Sequence, residues 1–182
     1  MRKFWSTLAI AGAMAAFAGS GMAAEKTVVL GISDALSGGG AVYGVPQKRA
    51  IDLAIEEINS AGGFIVGNDT IRFDTIAYDD KADPTEATNV ARKLIDRDGV
   101  KFLLGYCCSA STGAVASFIG REDVIMLVGT AGARAITAAG NKNVFRTRPP
   151  GDYTGAAAGN FIAAQGVKKL GVLAVRDNTL FV

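Results

Sequence analysis

KTVVLGISDALSGGGAVYG, residues 26–44, runs from a β-branched apolar stretch straight into a glycine-rich segment. A nearly continuous apolar run of this length suits a strand buried on both faces, the habit of parallel sheets. The glycine-rich part, residues 33–44, reads as a loop. Beyond it, over about 45–61, Ile51, Ala54, Ile55 and Ile58 recur at helical spacing until Gly62 and Gly63 stop the helix.

The same alternation continues along the chain. A strand fits residues 70–77, where Ile71, Phe73, Thr75 and Ala77 share one face. The next helix has a clear start, with Asp83 as N-cap, Pro84 at the first position and Glu86 three residues after the cap. Its buried stripe is Ala87, Val90, Ala91, Leu94 and Ile95, and it ends at Gly99. Residues 100–104 form a short buried strand that delivers the chain into GYCCSAST (105–112), with a helix over about 111–120. VIMLV (124–128) is a fourth strand, followed by GTAGARAIT (129–137). A brief crossing strand fits 144–147, Pro149-Pro150-Gly151 is a break, 153–165 reads as a helix and 168–175 as a further buried strand.

Strands alternating with helices predict an α/β fold, a parallel sheet with helices on both faces. Such sheets bind ligands outside the carboxyl ends of the strands, at the topological switch point. Residues 33–44, 105–112 and 129–137 all occupy such positions, and all are small or hydroxylated.

At the amino terminus, Arg2 and Lys3 precede an apolar run over 4–18 and the small residues Gly21-Met22-Ala23. This is the pattern of a secretory signal peptide over 1–23, cleaved near Ala23 or Ala24. The apolar run falls short of the roughly 20 residues of a membrane span, so a soluble periplasmic product without membrane insertion is expected. Cleavage removes Arg2 and Lys3 from 19 basic residues and none of the 17 acidic ones, taking the formal charge from +2 to zero. That balance carries no nucleic-acid footprint.

The sequence has no histidine, which excludes histidine bases, serine triads of the usual kind and most zinc sites. The glycine-rich loop is not a nucleotide motif. With Gly38 and Gly40 as its first glycines, Tyr43 falls where the third belongs, and a phosphate loop beginning at Gly39 would need Lys and Ser/Thr where Val45 and Pro46 stand. No cofactor and no metal are expected.

GYCCSAST admits several readings. A nucleophile would need a base, and the G-x-S-x-G pattern is absent. Cys107 and Cys108 are a pair of small buried thiols or a strained vicinal disulfide. A helix N-terminus carrying hydroxyls offers something else: free N–H groups beside Ser109, Ala110 and Ser111 or Thr112 make a receptor for a carboxylate. The motif equally suits a cap that serves only its own helix.

Taken together, LSGGGAVYG, EINSAGG, YDDKADPTEATNVARKLI, GYCCSAST, GTAGARAIT and FRTRPPGDYTGAAA make the chain resemble the periplasmic Leu/Ile/Val-binding proteins of ABC transporters, which have the type I clamshell fold. The resemblance runs from Lys26 to the last residue. It implies a non-enzymatic, monomeric binding protein that delivers a small carboxylate-bearing solute to an inner-membrane ABC permease. By resemblance the carboxylate would sit on Ser109 and neighbouring backbone at Ala110 and Ser111, and an ammonium would meet the carbonyl of Thr130. Tyr43 would pack against the ligand, with Phe181 over it from the second lobe.

Departures from the family pattern bear on the ligand. Gly132 stands where a threonine is usual, and Arg134 two residues later is either a carboxylate partner or a solvated surface arginine. A branched-chain amino acid is the family default, and these departures raise an aromatic or other organic acid as the alternative. Ala82 occupies the position from which some members pair a cysteine with the counterpart of Cys108. The family has two lobes, so 24–146 is expected to be most of the first lobe and 147–182 the start of the second, in a truncated chain. An exported α/β hydrolase using Ser109 or Cys108 is the rival of another class, and a receptor's sensing domain a third.

Overall fold

The computed structural model describes residues 24–173. The expected signal peptide, the end of the last expected strand and Phe181 lie outside these residues. Six strands form one sheet in the order β2-β3-β1-β4-β5-β6. They are β1 (Glu25–Asp34), β2 (Phe64–Val66), β3 (Asp69–Asp79), β4 (Phe102–Gly105), β5 (Ile125–Val128) and β6 (Val144–Arg146). All pairs are parallel except the antiparallel pair of β2 with β3. The helices are α1 (Ala41–Ser60), α2 (Pro84–Arg92), α3 (Ser109–Ile119), the short α4 (Ala135–Ala138) and α5 (Gly151–Ala164). The expected α/β class is what the chain adopts.

Local chemistry explains most boundaries. The Asp83 carboxylate accepts from the N–H groups of Thr85 and Glu86, so the first turn of α2 is capped with Pro84 at its start. Ala87, Val90, Ala91 and Leu94 are buried as the spacing predicts, and Ile95 packs against them. The end of α2 widens into a π-helical turn over Lys93–Arg97. The α2–α3 side of the sheet holds the main core, with Leu94, Leu103, Ile119 and Met126 fully buried. Each such side chain contributes about 1.5–3 kcal/mol through burial.

The opposite face is covered by α1 and otherwise open. Phe102, Ile125, Leu127 and Phe145 lie at neighbouring positions on β4, β5 and β6 and are all exposed. No residue of α5 is buried.

Several expectations need correction. Helix α1 begins at Ala41, four residues before the apolar spacing starts, because its first turn is exposed at Val42 and Tyr43 and leaves no periodic trace. Helix α3 likewise begins at Ser109. The hairpin strand β2 was not legible, being three exposed residues joined to β3 by a two-residue turn. The stretch 144–147 is a paired strand of the same sheet rather than a connection alone. Residues 168–173, expected to be strand, are exposed and irregular, with no pairing neighbour among the described residues.

Candidate ligand-binding site

From β1 the chain reaches β3 on one side, and from β3 it returns across β1 to β4 on the other. The switch point is therefore at the carboxyl ends of β1 and β4, where Ser33 pairs with Gly105. Gly105 has φ 108 and a Cβ there would lie 2.5 Å from the Ser33 carbonyl oxygen, so only glycine fits. The next residue, Tyr106, holds a left-handed φ of 65 and is fully buried. Two successive positive φ angles turn the chain off β4 and aim the start of α3 at the cleft.

A buried acidic layer underlies this turn. The Asp34 carboxylate accepts from the N–H groups of Cys107 and Ala35, fastening the loops after β1 and β4 together. Burial raises the Asp34 pKa, and those bonds offset part of the rise. Burial likewise lifts Asp80 to about 6, against bonds from the Ala82 N–H and the Ser33 hydroxyl. Asp79, nearer the surface, goes the other way: burial pushes its pKa up, but the Ser37 hydroxyl and the N–H groups of Lys81 and Leu36 outweigh that.

Cys107 and Cys108 are free, buried thiols with their Sγ atoms 2.8 Å apart. The Cys108 contact and burial push the Cys107 thiol well up, which disfavours its thiolate. Ala35 and Ala82 pack against the pair.

Cys108 holds the N-cap position of α3 but provides no side-chain cap. Helix geometry leaves the first N–H groups of α3 without intrahelical partners, and here no cap side chain takes them. The hydroxyls do not all turn to the cleft. Ser111 and Thr112 are fully buried and donate to the Cys108 carbonyl at 2.9 and 2.7 Å. Their hydroxyls brace the turn, which leaves the backbone at Ser111 as its link to the start of α3.

Ser109 is placed differently. Its Oγ accepts from the N–H groups of Gly132 at 3.2 Å and Ala133 at 3.1 Å, joining α3 to the loop after β5. The Ser109 hydroxyl proton is left for another acceptor. Ser109 and Ala110 border a hollow of about 530 Å³ between α3 and α4, walled mostly by small residues such as Gly113, Ala116 and Ala133.

The loop after β5 is pinned from two other sides. The Thr130 hydroxyl donates to Gln47 Oε1 at 2.8 Å. Gln47 follows Tyr43 by one turn of α1, so the half-exposed Tyr43 ring stands on the same helix face. The Thr130 carbonyl, expected to meet a ligand ammonium, accepts from Arg148 Nη1 at 3.0 Å. Arg134, expected as either a carboxylate partner or a solvated surface arginine, is exposed and paired with Asp152 of α5. Sequence reasoning overlooked Gln47, Arg146 and Arg148. The run RTRPP at the end of β6, two arginines just before a Pro-Pro break, is the available signal for the two arginines.

Ser109 and Gly132 are thus joined, Thr130 is tied to α1 through Gln47 on the face that carries Tyr43, Arg134 pairs with Asp152, and Phe181 is outside the described residues. Among the described residues no acidic or sulfur cluster could hold a metal ion, and no helix is long and apolar enough to cross a membrane.

Known proteins share this sequence and fold. The "Leucine-, isoleucine-, valine-, threonine-, and alanine-binding protein" of Pseudomonas aeruginosa is 39% identical over 163 residues, 90% of this chain and 41% of that protein. The branched-chain amino acid transporter substrate binding protein LivJ from Streptococcus pneumoniae, solved in complex with isoleucine, superposes with a TM-score of 0.68 at 25% identity, over 76% of this chain and 38% of that one. A solute binding protein of an ABC transporter from Rhodopseudomonas palustris BisB5, in complex with 3,4-dihydroxy benzoic acid, gives 0.68 at 27% identity, over 78% and 37%. The chain therefore spans about two fifths of the length of these relatives. With a fold, a switch-point cleft and a sequence that matches the family's own pattern over residues 27–179, the chain belongs to the periplasmic binding protein family.

Proposed function

We propose that this chain contributes the first lobe, residues 24–146, and the beginning of a second, from residue 147, to an exported substrate-binding component of an ABC importer. Its ligand is a small carboxylate-bearing solute, and it hands that solute to an inner-membrane permease. A signal peptide over 1–23 carries it to the periplasm.

The observation that carries this reading is the uncapped start of α3 beside Ser109, whose hydroxyl is fixed by the Gly132 and Ala133 N–H groups. Fixed orientation matters because a preset donor loses little entropy on binding. Each hydrogen bond to a charged group contributes roughly 1.5–3 kcal/mol, and the helix field adds roughly 0.3–1 kcal/mol. Two or three such bonds orient a carboxylate without an ion pair.

Ligand held by both lobes favours the closed arrangement through contacts that the open one lacks. No nucleophilic role is proposed for Ser109. Its oxygen already accepts two N–H bonds, the chain has no histidine to serve as its base, and the relatives are named as binding proteins. Calorimetric titration of the full-length protein with branched-chain amino acids and hydroxybenzoates is expected to find a ligand. Ser109→Ala combined with Tyr43→Ala is expected to abolish its binding, and unchanged affinity would remove these residues from the site.

A further inference from the structure

The loop after β5 presents its carbonyl groups to the protein's own donors rather than to the cleft. Gly129 O accepts from the Thr147 hydroxyl at 2.9 Å, Thr130 O from Arg148 Nη1 at 3.0 Å, Gly132 O from the Gly151 N–H at 2.9 Å, and Ala133 O from Arg146 Nη1 at 2.7 Å. Two of these four donors are guanidinium groups. Arg148 also lies over Gly132, where an added Cβ would stand 3.7 Å from its Cζ. Gly132 is in turn bonded to Ser109, so the Arg148 charge is one residue away from the serine.

The surrounding charge is predominantly positive, with Arg134, Arg146 and Arg148 set against Asp152. Burial, and then the charge of Arg148, hold Arg146 below its ordinary value, with the charge of Asp152 opposing them. The acidic group here, Asp152, is taken up by Arg134. Asp34 and Asp80 are buried beneath the turn after β4 and bonded there.

An α-amino acid brings an ammonium as well as a carboxylate. Its three N–H donors need acceptors, and a dry cleft makes unmet donors and like charges costly. This edge offers donors and positive charge instead. A carboxylate gains from that same field, and a ligand with no ammonium leaves nothing unsatisfied.

We infer that Arg148 is the specificity-determining residue of the site. By occupying the Thr130 carbonyl and adding its charge, it selects small organic acids that carry a carboxylate and no ammonium, against α-amino acids. This rests on the reading of the site as a carboxylate receptor. Arg134, salt-bridged to Asp152, does not take that part.

The test uses ligand pairs that differ only in the ammonium, 4-methylpentanoate with leucine and 3-phenylpropanoate with phenylalanine, titrated by calorimetry into the full-length protein. The acid is expected to bind more tightly than its amino acid by about tenfold or more, the effect of 1.4 kcal/mol or above. Arg148→Lys retains the preference. Arg148→Met, similar in length and uncharged, is expected to reduce it by about tenfold.

Thermal unfolding of each variant checks folding. Should Arg148→Met fail to fold, the pair ratios of the wild type and of Arg148→Lys decide. Tighter binding of the amino acids by the wild type, or a ratio unchanged in a folded Arg148→Met, overturns the inference and leaves the carboxylate reading standing. Failure of every acid and amino acid to bind overturns both.

Discussion

Ser109 shows how much of one side chain's geometry depends on residues far from it in sequence. Its position before a helix was visible in the sequence, but the two N–H groups that seize its oxygen come from residues more than twenty positions away. Ser111 and Thr112 have the same chemistry and opposite roles, because helical phase turns them inward onto Cys108 O. Beneath them, Asp80 makes a prediction about pH. Its folded pKa of about 6 lies above the unfolded value of 3.8, so its contribution is fully present below the unfolded value and is lost as pH rises through 6. Stability is therefore expected to fall between pH 4 and 7, by on the order of 3 kcal/mol from this group. Asp80→Asn should flatten that slope in denaturant titrations at the two pH values. An equally steep slope in the variant would assign the titration elsewhere.

Elements were most legible where two signals coincided. Asp83, Pro84 and the stripe from Ala87 to Leu94 each pointed to α2, and cap and burial both follow. Helix α1 was harder, since the small residues that suggested a loop also let the helix approach β1 closely. Gly44 is the clearest case, because a Cβ there would lie 2.1 Å from the Ala35 carbonyl oxygen. Gly44→Ala is expected to destabilise by about 1–3 kcal/mol through overpacking. Gly113→Ala in α3, where nothing lies within 4 Å, is expected to stabilise by about 0.5–1 kcal/mol through helix propensity. Chemical unfolding of both variants reads the contrast, and equal effects would contradict the close packing of α1. Over its described part, residues 168–173, the strand expected at 168–175 does not form, for a different reason. An apolar run specifies burial, but it cannot supply the neighbours that a strand pairs with.

At the scale of the whole molecule, the parallel sheet and its switch point followed from the order of apolar runs. The identity of the groups facing the cleft depended on contacts between distant loops and stayed hidden, above all Gln47 on Thr130 and Arg148 over Gly132. The sheet has one well-packed face and one where Phe102, Ile125, Leu127 and Phe145 remain exposed. The monomer implied by the family resemblance requires that face to be covered. The central claim is that the cleft at the carboxyl ends of the strands recognises a carboxylate through the start of α3. Its most direct test is the thermal shift of the full-length protein with a small carboxylic acid and with the primary amide of the same acid. Tm is expected to rise with the acid, by the equivalent of about 2.7 kcal/mol at 100 times Kd, and not with the amide. Equal shifts with both, or a shift with the amide alone, would contradict it.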